Sequence, residues 1–190
     1  MSNVAIDLTT KEHLLATLRS ERARWEALIA EAGPERLTTP GVCGDQSMKD
    51  LLGHLTAYTR RWGAQLRGIV TGTPPTMRDL FDVDVLPEEA LTGGETGQNA
   101  VIRALYAPRS TETVLVNWRE ATDLLLASVA ALPDEDIATP GRIPGIGDRP
   151  LADGIAGDTF GHHAHHAAEV RAWLDESVVG SDERRWMERT

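Results

Sequence analysis

The chain has 190 residues, 41% hydrophobic and 25% charged, with 19 basic and 29 acidic side chains and a formal net charge of −10. At roughly 150 residues per domain this is the length of one domain, 1–190, with enough chain to bury a core without disulfides or a structural metal. The acidic balance leads to the expectation of no nucleic acid as a partner, because phosphate backbones are bound largely by Lys and Arg. The lone Cys43, the short apolar runs and the opening MSNVAIDLTTKEH, without a basic or apolar leader, lead to an expected cytoplasmic location and no membrane partner.

Residues 9–32 place Leu14, Leu15, Leu18, Trp25, Leu28, Ile29 and Ala32 at three-and-four spacing, the mark of an amphipathic helix. Thr9 and Glu12 read as its capping box, and Gly33-Pro34 stops it. After a turn-rich stretch, Ser47 and Asp50 open a second helix running to about Val70 with Leu51, Leu55, Tyr58, Trp62, Leu66 and Ile69 on one face. Residues 71–98, with Pro74, Pro75, Pro87 and several glycines, read as a long loop holding one short helix, and as a lid over a pocket. A short helix over 99–106 and a long one over 111–132 follow. The Gly- and Pro-rich connection 140–148 leads to a last long helix over about 150–175, with Ile155, Thr159, His162, His166, Val170 and Trp173 on one face. Residues 181–190 read as a charged helical extension or tail. No strand pattern competes, so the expected fold class is all-α, an up-down-type four-helix bundle with a long loop between helices 2 and 3.

Of six histidines, four fall within residues 162–166. His162 and His166 are four apart and project from one helical face, a spacing that lets two imidazoles share one ion. His54, one turn into the second helix between the core-facing Leu51 and Leu55, is the expected third ligand. His163 and His165 fall about 100° to either side and read as flank or pocket-wall residues, and His13 reads as exposed. Asp50, Asp158 and Glu169 are candidates to orient the ligating rings, with Asp50 equally suited to capping its helix. Tyr58, one turn after His54, reads as a proton donor or pocket wall, and Asp158 as a second candidate catalytic group. Three neutral imidazoles leave a divalent ion its full charge, so the site would act as a Lewis acid. Arg103 and Arg171 are candidates for an anionic substrate. Cys43 lies several residues ahead of the helix start and is not expected to be a nucleophile.

The stretch Gly44-Asp45-Gln46-Ser47 leading into Lys49-Asp50-Leu51-Leu52-Gly53-His54-Leu55 resembles the first half of the DinB-like four-helix bundle superfamily. The stretch 158–166 followed by Val170-Arg171-Ala172-Trp173-Leu174 is similar to its last helix, most like the ClbS/DfsB branch. Gln46 stands where Trp is common in that superfamily, and His163 and His165 where ClbS-like members often carry Tyr and Glu. The resemblance implies a compact, often dimeric bundle with a divalent metal, nickel or zinc, on His54, His162 and His166. It also implies chemistry on a small molecule, either thiol-dependent transfer using a low-molecular-weight thiol or hydrolytic self-protection. The leading reading is thus a metal-dependent hydrolase or thiol transferase acting on an electrophilic small molecule, expected as a homodimer. The alternatives are a metal-independent ClbS-like hydrolase or small-molecule-binding protein, and a non-catalytic dimeric interaction bundle.

Overall fold

The computed structural model describes residues 10–137, 139–141 and 147–187. Four long helices form the bundle: α1 (Lys11–Ala32), α2 (Met48–Thr71), α6 (Thr111–Ala131) and α9 (Phe160–Met187). They pack as a closed ring in which α6 and α9 each lie against both α1 and α2. A two-strand hairpin, β1 (Pro40–Cys43) and β2 (Gln46–Ser47), sits between α1 and α2 and rests on α9. Short helices α3 (Met77–Phe81), α4 (Glu88–Thr92) and α5 (Gly94–Tyr106) connect α2 to α6, and α7 (Asp134–Ile137) and α8 (Leu151–Asp158) connect α6 to α9. Among the described residues, no helix is long and apolar enough to cross a membrane.

The caps follow from local side-chain chemistry. Ser47 Oγ accepts from the Asp50 backbone N–H while Asp50 Oδ2 accepts from the Ser47 N–H at 2.9 Å, a reciprocal box that starts α2. α1 is capped one residue later than expected: Thr10 Oγ1 accepts from the His13 N–H at 3.2 Å. Thr9 lies outside the described residues.

Two apolar clusters fill the bundle. One gathers Trp25, Leu51, Leu55, Val114, Trp118, Ala167 and Val170 near the hairpin; the other gathers Leu14, Leu18, Trp62, Leu66, Leu125, Val129 and Ile155 at the opposite end. Between them each helix contributes at most small or polar groups, with Thr59, Thr122, Thr159 and His163 all buried. Thr122 and Thr159 satisfy their hydroxyls on the carbonyl one turn back in their own helices, which lets them sit in the core.

Three expectations are corrected. The hairpin escaped notice because strands of four and two residues give no alternation to read; its turn depends on Gly44, at φ 60°. Residues 71–98 carry three helices rather than one, and α5 begins at Gly94 instead of Asn99. The last helix is broken at Thr159, whose φ of −120° and ψ of −104° separate α8 from α9. Gly161 lies two residues on, and a Cβ there would lie 2.7 Å from the Ala156 carbonyl oxygen, so any larger residue would force the backbone at the break to shift. Pro140 and Pro150 pair across the base of the connection between α7 and α8; residues 142–146 of it lie outside the described residues. α9 itself continues past the expected end, through Met187.

Candidate functional site

The break at Thr159 sets the rotation of α9. Its core stripe is Phe160, His163, Ala167, Val170 and Leu174, so His163 is the histidine that enters the core, only 6% exposed. It hydrogen-bonds Thr59 Oγ1 at 3.1 Å, and its backbone carbonyl accepts from Trp25 Nε1 at 3.3 Å. His162 and His166 lie half-buried beside that stripe, facing a cavity rather than the core, and His165 is exposed. His13 is exposed on α1, as expected.

His54, His162 and His166 come together. The Nε2 atom of His162 stands 3.1 Å from that of His54 and 3.1 Å from that of His166. Each of the three is oriented. His166 Nδ1 donates to Glu169 Oε2 at 2.6 Å, and the His162 ring donates to the backbone carbonyl of Asp158. An ionised carboxylate and a carbonyl only accept, so both rings spend their neutral proton there and turn lone pairs inward. His54 is held between α2 and the Tyr58 ring, whose centroid lies 5.0 Å from its own. With those protons spent, the facing lone pairs of His162 and His166 at 3.1 Å repel unless a cation, or a proton on His54 Nε2, lies among them. A tetrahedral ion with Zn–N bonds of about 2.05 Å would separate its ligand nitrogens by about 3.3 Å. The donor set thus fits a divalent metal, and the histidine cluster could hold one.

The electrostatics agree. Burial, with the neighbouring His162 and His166 rings, pushes His54 down to about 4. Burial and His166 also lower His162. Burial pushes His163 down to about 3. Deprotonated imidazole is the form that ligates.

The cavity beside the cluster has a volume of about 400 Å³. The hairpin supplies Cys43 and Gln46 to its wall, and α5 supplies Glu95, Asn99 and Arg103. Arg103 is braced by Asp45 in the hairpin turn at 2.7 Å. Burial and a hydrogen bond to Glu169 push the Cys43 thiol up, which disfavours thiolate and agrees with its not being an activated nucleophile. Burial pushes Glu169 upward, but the His166 and Cys43 contacts outweigh it and hold the carboxylate low.

The remaining predicted site residues have other partners. Asp158 places its carboxylate on Arg61 at 2.6 Å and Trp62 Nε1 at 2.9 Å, so its hydrogen bond to His162 comes from the backbone carbonyl, while its charge still favours the protonated His162 ring. Asp50 is committed to the cap, though it also borders the cavity. Tyr58 packs its ring against His54 and His162, and its hydroxyl donates to Asn99 Oδ1 at 2.9 Å. Arg171 is paired with Glu31 at 2.7 Å. The residues missed from sequence are Glu95 and Asn99; Arg103, expected as an anion-binding residue, lines the same cavity from the same helix. Their i, i+4, i+8 spacing is itself a helical signal, hidden within a segment dominated by glycine and proline.

Residues 18–168 match the family described as Mycothiol maleylpyruvate isomerase N-terminal domain. The chain belongs to that family. It shares the DinB-like bundle with solved structures of low sequence identity. One is the colibactin self-resistance protein ClbS in complex with a dsDNA, at 14% identity over 86% of this chain and 94% of that one, TM-score 0.65. Another is DfsB, a sibling lethal factor precursor, at 16% identity over 88% and 96%, TM-score 0.67. A third, from Streptococcus pneumoniae, has 13% identity over 87% and 91%, TM-score 0.69. No curated protein matches the chain. The family fits a small-molecule-related role, and the solved neighbours show the fold.

The ClbS complex corrects the expectation of no nucleic acid. A protein of this fold was crystallised on double-stranded DNA, so a net charge of −10 does not exclude such a partner. Net charge sums the whole surface, whereas a phosphate backbone meets only one local face.

Proposed function

We propose that this protein is a metal-dependent enzyme that hydrolyses an electrophilic small molecule or conjugates it to a low-molecular-weight thiol. The observation that carries this reading is the convergence of three imidazole Nε2 atoms at 3.1 Å spacings on the wall of a 400 Å³ cavity. His54, His162 and His166 would hold the ion, and neutral imidazoles suit a first-row ion such as zinc or nickel. Bound there, such an ion supplies a Lewis acid with open coordination positions, able to polarise an electrophile and lower the pKa of an attacking nucleophile.

The chain's own residues supply orientation. Glu169 fixes the His166 ring and the Asp158 carbonyl fixes His162. Asn99, Glu95 and Arg103 face the reacting region from α5 and offer an amide, a carboxylate and a guanidinium to a polar substrate. Tyr58 walls the site, holding Asn99 in place through its hydroxyl. Asp158, locked onto Arg61 and Trp62, positions groups rather than moving protons.

The test is elemental analysis of protein purified without a nickel column, then loaded with zinc or nickel and desalted. One ion per chain in the wild type, lost in His54→Ala and His166→Ala, is the expected result. A fully folded wild type that stays empty after loading overturns the reading.

A further inference from the structure

A second cavity, of about 240 Å³, lies on the other side of α5. Its lining is apolar, with Met77 and Phe81 of α3, Ala90 of α4, and Ile102 and Leu105 of α5 among its walls. Its polar lining is Arg61 and Gln98, and both also border a small void of about 10 Å³ against Tyr58. α5 therefore acts as a partition: Glu95, Asn99 and Arg103 face the histidine cavity, whereas Gln98, Ile102 and Leu105 face the apolar one. Tyr58 completes the partition. Its ring touches the void on one side and stands 5.0 and 5.2 Å from His54 and His162 on the other. The two cavities are one aromatic ring apart, and the lining changes from apolar to polar toward the histidines.

We propose that the apolar cavity is the tail subsite for the same molecule whose reactive group is handled at the histidines, an inference that rests on the function proposed above. The substrate class is then an amphiphile with a compact electrophilic head and an apolar tail. An apolar cavity of about 150 Å³ accommodates benzene, and at roughly 30 Å³ per methylene-sized group 240 Å³ holds a tail of about six to eight carbons. The 10 Å³ void is too small to pass a chain, so the Tyr58–Asn99 hydrogen bond opens when head and tail are both seated. A partly open, mainly apolar space between α5 and two five-residue helices, rather than one filled by larger side chains, is what a ligand subsite requires and a core does not.

Two neutral probes test this. On metal-free protein, octanamide binding is followed by calorimetry or NMR. It is expected to bind the wild type and His54→Ala alike, and at least tenfold more weakly to Leu105→Trp and to Val101→Trp, a further lining position on α5, both of which fill the cavity. On zinc-loaded protein, octanohydroxamate is expected to bind at least tenfold more tightly than acetohydroxamate, each methylene adding up to about fourfold. That advantage is expected to vanish in both tryptophan variants, whose folding is verified by circular dichroism. Octanamide that ignores the wild type, or binds both variants equally, overturns the tail subsite. A chain-length advantage that survives in the variants overturns it as well. Cavity-dependent octanamide binding without any hydroxamate binding overturns instead the metal centre, and with it the shared substrate.

Discussion

Glu169 links two groups that sequence alone keeps apart: its carboxylate accepts from His166 Nδ1 at 2.6 Å and is hydrogen-bonded by the Cys43 thiol of the hairpin. Glu169→Gln removes the charge and leaves the His166 ring free to change tautomer. The expected outcome is zinc affinity lower by about 10- to 100-fold, measured by competition with a chromogenic chelator. The same variant removes one of the influences that hold the Cys43 thiol high, behind burial itself. Its thiol is expected to titrate lower and to react faster with a disulfide reagent at pH 8 than the wild type does. Unchanged zinc affinity would remove Glu169 from the site.

His162 occupies the centre of the trio, since its Nε2 contacts both others. A ligand at about 100 times its Kd stabilises the folded state by about 2.7 kcal/mol, and each kcal/mol moves Tm by about 2–4 °C for a chain of this size. Zinc or nickel is therefore expected to raise the wild-type Tm by about 5–10 °C and to leave His162→Ala unmoved. A thermal shift of equal size in His162→Ala would place the ion on His165, His166 and Glu169, the other group of suitable donors among the described residues.

The trio was legible because two of its members sit four apart on one helix and the third interrupts a run of leucines. The fold was legible because Trp25, Trp62 and Trp118 each fall on a strong helical stripe and are buried at 0%, 1% and 0% exposure. What sequence could not reveal depends on contacts between distant segments. A stripe carried through an unbroken helix puts His163 on a flank or pocket wall; the break at Thr159 rotates it into the core against Thr59. Asp158 was placed one turn from His162 correctly, but nothing local foretells that Arg61 and Trp62 take its carboxylate and leave the backbone oxygen for the ring. On α5, Glu95 lies ahead of the helix expected over 99–106, because glycines and prolines around 72–97 suppress the helical pattern there.

His163 gives a pH dependence with a definite sign. Burial lowers its folded pKa to about 3 from an unfolded value near 6.5. Between those values the unfolded chain binds the extra proton, so the stability from keeping this ring neutral is complete above about pH 6.5 and is lost as pH falls toward 3. The loss is on the order of 3 kcal/mol, and the half-buried His54, lowered to about 4, adds a smaller amount over the upper part of the same range. Urea denaturation of metal-free protein from pH 7.5 to 4 is expected to show this decline. His163→Gln, which keeps a hydrogen-bonding partner for Thr59 but does not titrate, is expected to flatten it. An equally steep decline in His163→Gln would assign the effect to other groups.

Gly53 carries the last prediction, because it sets how closely α5 approaches α2 one residue ahead of His54. A Cβ at this position would lie 2.7 Å from the Tyr106 Cβ and 2.9 Å from its Cγ. Tyr106 is 3% exposed and its ring packs beneath the Arg109 guanidinium, so it has little room to yield. Gly53→Ala is expected to push α5 outward, destabilising the protein by about 1–3 kcal/mol in urea denaturation despite alanine's better helix propensity. Because Glu95, Asn99 and Arg103 ride on that helix, the displacement also widens the histidine cavity while leaving His54, His162 and His166 on their own helices. Zinc affinity is accordingly expected to fall by less than tenfold, whereas binding of a substrate-sized hydroxamate falls further. A Gly53→Ala protein as stable as the wild type would mean that α5 is not wedged against α2 and that its wall of the cavity is set elsewhere.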